Sequence, residues 1–328
     1  MRAIQAATYG DSSVLSLNDA PVPEPGDDEA LVKLEYAGIN FIDVYMREGR
    51  YKESRTYINS PPFTIGMEGS GTIAKTGPGV SHIKEDDRVA YCLSLGSYAE
   101  YAAVPAWRLV KVPDDVDLQI GAALMLQGCT AHYLSHSLFP LEEGHTCLIH
   151  AAAGGVGQTL VQLAKLRGAY VIATAGTDEK AEIARACGAD FAINYNETDF
   201  AQVVEDITDG RKADVVYDSV GAATYERSMK CLKKRGTLAL FGAASGRVPP
   251  IDPIELAESG SIFLTRPHQA DYIENFSEIN NRAQDLFGHI AAGRLKAVID
   301  TVFPIQDAKT AHDTIEGRLT KGKLLLEI

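Results

Sequence analysis

One stretch of the chain combines residue types and spacing that could bind a phosphate. Ala152-x-Gly154-x-x-Gly157 stands between the apolar run Thr146–His150 and a helical repeat of Leu160, Val161, Leu163, Ala164 and Leu166. Small residues here let the chain turn sharply and bring a pyrophosphate against backbone N–H groups at a helix N-terminus, where the dipole favours negative charge. Gly154, Gly155, Val156 and Gly157 are the candidate binders. Ala152 replaces the first glycine of the usual pattern, and a tight turn that binds nothing is the competing reading.

The surrounding elements weigh against that competitor. Five further apolar runs follow, Tyr170–Ala175, Phe191–Tyr195, Ala213–Val220, Gly236–Gly242 and Ser261–Arg266, with helical patterns between the early ones. Such alternation predicts a parallel, doubly wound sheet, whose ligand sits beyond the carboxyl ends of the strands. Gly176, Ser219, Phe241 and Gly242 would gather there with the glycine turn. No Ser-His-Asp arrangement, acid/base carboxylate pair or activated cysteine is legible. The five cysteines, Cys92, Cys129, Cys147, Cys187 and Cys231, lack C-x-x-C spacing and read as buried thiols. His132 and His136 share i,i+4 spacing, but no third ligand accompanies them in the sequence, and no metal is expected.

With 328 residues the chain can hold two domains. Residues 1–123 are rich in Gly, Pro and short alternating runs (Leu31–Tyr36, Gly69–Lys75, Arg88–Tyr91, Tyr98–Val104 and Leu109–Val112), which predicts a β-rich domain. Residues 124–267 hold the α/β unit; in 268–328 a long helix, Asp271–Gly293, precedes strands that rejoin the first domain. A net charge of −13 argues against nucleic acid as a partner. The N-terminus lacks an apolar signal core and no run approaches the ~18 apolar residues of a membrane span, so a cytoplasmic protein is expected.

The segments AGINFIDVYMREGRY (Ala37–Tyr51), GMEGSG (Gly66–Gly71), GSYAEY (Gly96–Tyr101), AAAGGVGQ (Ala151–Gln158) and GKLLLEI (Gly322–Ile328) carry a resemblance over nearly the whole chain. They resemble the zinc-free quinone oxidoreductase, or zeta-crystallin-like, branch of the medium-chain dehydrogenase/reductase superfamily. The resemblance implies a GroES-like catalytic domain, a Rossmann domain, a cleft between them and a homodimer. It places Asn40 and Met67 where zinc relatives carry Cys and His ligands, and neither a carboxamide nor a thioether suits zinc. Glu68, beside the lost His, is expected to be a buried structural carboxylate. The resemblance also implies that Asn40, Asp43, Tyr45 and Tyr51 line the nicotinamide pocket, with Gln127 and Thr130 near the carboxamide. Arg266 and Lys323 are expected either to close over cofactor phosphates or substrate or to form surface salt bridges.

An NAD-binding unit carries an acidic residue about twenty residues past the glycine turn, on the ribose 2′-OH. Gly176 stands there instead, and Lys180 and Tyr195, which match the NADPH-binding positions of the branch, are the expected partners of a 2′-phosphate. Asp178 complicates that assignment. The expectation is an NADPH-dependent quinone reductase acting on a quinone or related electrophile. Its rivals are a reductase of enone, alkenal or enoyl-thioester C=C bonds and a non-catalytic NADPH-binding protein with a structural or RNA-binding role.

Overall fold

The computed structural model describes every residue except Arg55, Ile58, Arg318 and Leu319. Contacts divide the chain into two units, Met1–Cys129 with Tyr272–Ile328, and Thr130–Asp271. The bounds read from sequence fall a few residues before these divisions. In chain order the first unit holds β1 (Arg2–Ala6), β2 (Leu15–Asp19), β3 (Glu29–Ile39), α1 (Phe41–Arg47), β4 (Phe63–Thr64), β5 (Glu68–Thr76), β6 (Arg88–Cys92), β7 (Tyr101–Pro105), β8 (Val110–Lys111) and α2 (Leu118–Leu124). Helix α3 (Gln127–Tyr133) leads into the second unit, with β9 (Thr146–Ile149), α4 (Gly155–Leu166), β10 (Tyr170–Ala175), α5 (Asp178–Ala186), β11 (Phe191–Asn194) and α6 (Phe200–Ile207). It continues through β12 (Ala213–Asp218), α7 (Tyr225–Lys230), β13 (Leu232–Leu240), α8 (Pro253–Glu258) and β14 (Phe263–Thr265). The chain returns to the first unit with α9 (Phe276–Ala291), β15 (Ile299–Pro304), α10 (Ala308–Glu316) and β16 (Lys323–Glu327).

The spine of the first unit is β3, which pairs antiparallel with β5, β7 and β16. Register shifts after Leu31 and Leu34 interrupt its pairing with β5, and such irregularities bend a strand. Its apolar side chains Val32 and Leu34 pack with Ile73, Val89 and Val104 in one core, and Ile39 with Val44, Ile65, Leu324 and Leu326 in another. In the second unit six parallel strands run in the order β11-β10-β9-β12-β13-β14. Strand order reverses at β9, the crevice where open α/β sheets bind ligands. Leu148, Ile172, Val216 and Leu238 fill that sheet's core with Phe200. The α/β class with a β-rich unit and a doubly wound parallel sheet is as the sequence predicts.

Several elements differ from expectation. α10 lies in a segment expected to be strands; its buried stripe, Ala308, Ala311, His312 and Ile315, includes a histidine and alanines, which weakens the apolar signal. The long helix begins at Phe276 rather than Asp271, because the Asn275 side chain caps it by accepting from Glu278 N–H. β13 begins at Leu232, upstream of the expected Gly236, since Lys233, Lys234 and Arg235 hide it. Among the described residues, no helix is long and apolar enough to cross a membrane.

Candidate functional site

At the carboxyl edge of the parallel sheet, Gly154 is the N-cap of α4 and no side chain caps it. The first-turn N–H groups of Gly155, Val156 and Gly157 have no intrahelical acceptor, the condition that suits an anion. A Cβ on Gly157 would stand 2.6 Å from Ala152 Cα, so only glycine lets the helix approach the turn. Gly176 follows β10, and a Cβ there would lie 3.1 Å from the Tyr195 hydroxyl. Half-buried Lys180 sits in the first turn of α5, where its N–H meets the capping Thr177 hydroxyl at 3.2 Å. The Asp178 carboxylate accepts from Asn194 Nδ2 at 3.0 Å, which ties it to the end of β11.

Ser219, Phe241 and Gly242 lie on the same edge. Phe241 N–H donates to the Asp218 carbonyl at 2.9 Å, and a Cβ on Gly242 would stand 2.7 Å from Ser219 Cα. Arg266 is exposed after β14 and donates from Nη1 to the Leu240 carbonyl at 2.8 Å. Thr130 is buried on α3, one turn beyond Gln127, which belongs to the first unit.

In the first unit Asn40, at the end of β3, is the N-cap of α1. Its N–H donates to Asp43 Oδ2 at 2.8 Å, one half of a capping box. Its side chain is committed elsewhere: Nδ2 donates to Glu68 at 2.8 Å and to the Gly38 carbonyl at 3.3 Å, while Oδ1 accepts from Lys323 at 2.7 Å. Lys323 is 2% exposed and also reaches Glu68 at 2.5 Å. Glu68, fully buried, takes a further hydrogen bond from Leu126 N–H. The expectation that Lys323 lies at the surface is corrected by its burial. Lys323 is neither a phosphate clamp nor a surface ion pair, because a buried carboxylate holds it. Asn40 and Asp43 are buried and shape the turn into α1.

Tyr45 and Tyr51 are half-buried, with ring centroids 6.1 Å apart. Tyr57, which the sequence reading missed, extends the rank at 5.0 Å from Tyr51, and Arg50 lies over Tyr45 at 4.8 Å. Also missed was the anchor behind them. Arg47, buried in α1, donates to the Gly10 carbonyl at 3.1 Å and His312 Nδ1 at 3.0 Å, and pairs with Glu316 at 2.7 Å.

Two buried groups here titrate abnormally. Burial raises the Asp43 carboxyl to about 7, against hydrogen bonds that favour its charged form. Burial and the Arg47 charge lower His312 to about 3. Between about pH 4 and 7 the folded chain therefore binds more protons at Asp43 than the unfolded chain does, so Asp43 makes stability fall as pH rises. His312 acts in the opposite sense from about pH 6.5 down to 3. Comparison with Asp43→Asn isolates the first term: the variant's advantage over the parent is expected to grow by about 1.4 kcal/mol per pH unit across that window, measured by urea unfolding. A pH-independent difference would rule this out.

A glycine turn suited to an anion, on a doubly wound sheet and in one chain with an antiparallel β unit, is the architecture of a dinucleotide-dependent oxidoreductase. Residues 155–302 match the zinc-binding dehydrogenase family model, and residues 26–114 match the alcohol dehydrogenase GroES-like domain. A 2-haloacrylate reductase from Burkholderia sp is 41% identical, covering 94% of this chain and 93% of the relative. A quinone oxidoreductase from Pseudomonas aeruginosa is 39% identical over 99% of both chains. The crystal structure of Escherichia coli quinone oxidoreductase complexed with NADPH superimposes with a TM-score of 0.96 at 37% identity, covering 100% of each chain. The chain belongs to the quinone oxidoreductase branch of the medium-chain dehydrogenase/reductase superfamily.

One matched family model is named for zinc, but the residues here do not fit that ion. Met67 is buried, the Asn40 amide is engaged, Glu68 already faces the Lys323 ammonium, and the Asp43 carboxylate accepts from Asn40 N–H. Carboxamide and thioether are poor zinc donors, and a bound cation opposes a second.

Proposed function

We propose that the chain reduces quinones with NADPH and without zinc. The observation that carries the cofactor reading is the end of β10, where Gly176 leaves space beside the Tyr195 hydroxyl, Lys180 stands in the next helical turn, and Asp178 is tied to Asn194. A 2′-phosphate there gains a cation and a hydroxyl donor. NADPH, when bound, supplies the hydride; the protein's share is orientation and exclusion of water. Tyr45, Tyr51 and Tyr57 offer a flat aromatic wall. Of the acidic groups in this part of the chain, Asp43 and Glu68 are buried in the scaffold, Glu48 pairs with Arg50 at 2.5 Å, and Glu53 is exposed. The Pseudomonas aeruginosa and Escherichia coli relatives, both quinone oxidoreductases, support this reading.

The 2-haloacrylate reductase relative favours a second reading, in which a conjugated alkene is the acceptor. Initial rates with 9,10-phenanthrenequinone, a 2-haloacrylate and an alkenal, each with NADPH or NADH and with or without a chelator, separate the two. Chelator-insensitive NADPH oxidation that is fastest with the quinone is expected. Faster turnover of either alkene overturns the quinone assignment, and NADPH binding without turnover on any acceptor points to the non-catalytic rival.

We also propose a homodimer through the edge of the parallel sheet. β14 ends the strand order, so its outer main-chain groups are open to another strand, and it carries Phe263 at 62% exposure, with Ile254 on α8 at 65%. Phe263→Lys is expected to halve the mass measured by light scattering after gel filtration. An unchanged mass would place any interface elsewhere.

A further inference from the structure

His150 follows β9 directly and precedes the glycine turn. It is buried, and both ring nitrogens have partners: Nδ1 lies 2.7 Å from Thr174 Oγ1 on β10, and Nε2 lies 3.0 Å from Ser228 Oγ on α7. Ser228 Oγ in turn lies 2.8 Å from Asp218 Oδ2, at the end of β12, and 3.0 Å from the Thr224 carbonyl. Proton counting sets the direction of this chain. A serine hydroxyl has one proton, and a carboxylate and a carbonyl can only accept. Ser228 therefore donates to that pair and accepts from His150 Nε2–H, which leaves Nδ1 to accept from the Thr174 hydroxyl. Burial holds the imidazole below its usual range, so the neutral ring this pattern requires persists. Asp218 also accepts from Val220 N–H at 2.8 Å, Gly221 N–H at 2.9 Å and the Thr224 hydroxyl at 2.8 Å.

Ser, His and Asp meet here, but not as a nucleophilic triad. The serine stands between the other two, its proton faces the carboxylate, and all three are buried. What the chain does join is main chain. His150 begins the turn after β9, Asp218 grips the turn Ser219–Gly221 after β12, and β9 and β12 are neighbours at the reversal of strand order. A ligand in that crevice touches both turns.

We propose that His150 is a positioning residue of the dinucleotide site, locking the glycine turn to the Ser219–Gly221 turn through Ser228 and Asp218. The inference rests on the reading of this edge as the NADPH site. It predicts effects on cofactor binding without effects on the acceptor.

The test compares Ser228→Ala, His150→Asn and His150→Gln. Asparagine reproduces the Nδ1 acceptor and loses the link to Ser228; glutamine reproduces the Nε2 donor and keeps it. NADPH titrations followed by nicotinamide fluorescence are expected to show about tenfold weaker binding for Ser228→Ala and for His150→Asn, the scale of one lost buried hydrogen bond in a charged network. Combining the two is expected to add little, because they break one link. His150→Gln stays within about threefold of the parent, and the KM for NADPH rises in the weakened variants while kcat and the KM for the acceptor hold. Should His150→Asn fail to fold, Ser228→Ala, which removes a single oxygen, carries the comparison. Binding within twofold of the parent in both Ser228→Ala and His150→Asn overturns the inference, as does a loss in His150→Gln equal to that in His150→Asn. A parent protein that binds neither NADPH nor NADH overturns the cofactor reading and this inference together, an outcome distinct from variants that bind like the parent.

Discussion

Lys323→Met is expected to destabilise the chain by about 3–5 kcal/mol, the cost of stranding a buried charge. Glu68 has no exposure, and without the ammonium its donors among the described residues are the neutral Asn40 Nδ2 and Leu126 N–H. The loss should show as a lower urea midpoint at neutral pH with an unchanged slope. Adding Glu68→Gln to the same chain removes the stranded charge, and the double variant is expected to recover most of the loss. An equal loss in the single and double variants would show that packing, not charge, is what Lys323 contributes. Activity should fall with Lys323→Met as well. The Asn40 Oδ1 loses its donor, so the N-cap of α1 loosens, and Tyr45 rides on that helix.

Gly176→Asp is expected to invert the coenzyme preference. A carboxylate at the end of β10 repels a 2′-phosphate and can accept from a ribose 2′-OH. Like charges brought together cost several kcal/mol, so the KM for NADPH should rise about 100-fold while that for NADH falls or holds. The new Cβ would meet the Tyr195 hydroxyl at 3.1 Å, a contact that a small rotation of that ring relieves. Steady-state kinetics with both coenzymes decide it. A parallel loss for NADPH and NADH would mean that the turn, not the charge, was damaged, and an unchanged ratio would remove this strand end from the 2′-phosphate site.

Much of the parallel sheet was legible before any fold was known, because its signals are local. Buried parallel strands read as unbroken apolar runs, as in Tyr170–Ala175, and a turn that must pack a helix against a strand admits little but glycine at Gly157. Elements without a clean period were harder. α10 was hard to see because its inward face is mostly alanine and histidine, with one isoleucine, and His312 reads as a polar residue until Arg47 is found against it.

The chemistry divides in the same way. Residue types and spacing determined a doubly wound unit with a glycine turn and a strand end free of the usual acidic residue, and the family resemblance added two ligand positions whose donors do not suit zinc. All of these depend on neighbours in sequence or on the kind of atom present. Only the tertiary structure decided that Asn40 and Asp43 belong to the scaffold, that Tyr57 joins the tyrosine rank, and that Lys323 faces inward. The physical reason is that a polar side chain's role follows from its partners, and these lie far along the chain: Lys323 is 283 residues from Asn40 and 255 from Glu68. A pattern of types cannot say which charges the folded chain will bury together.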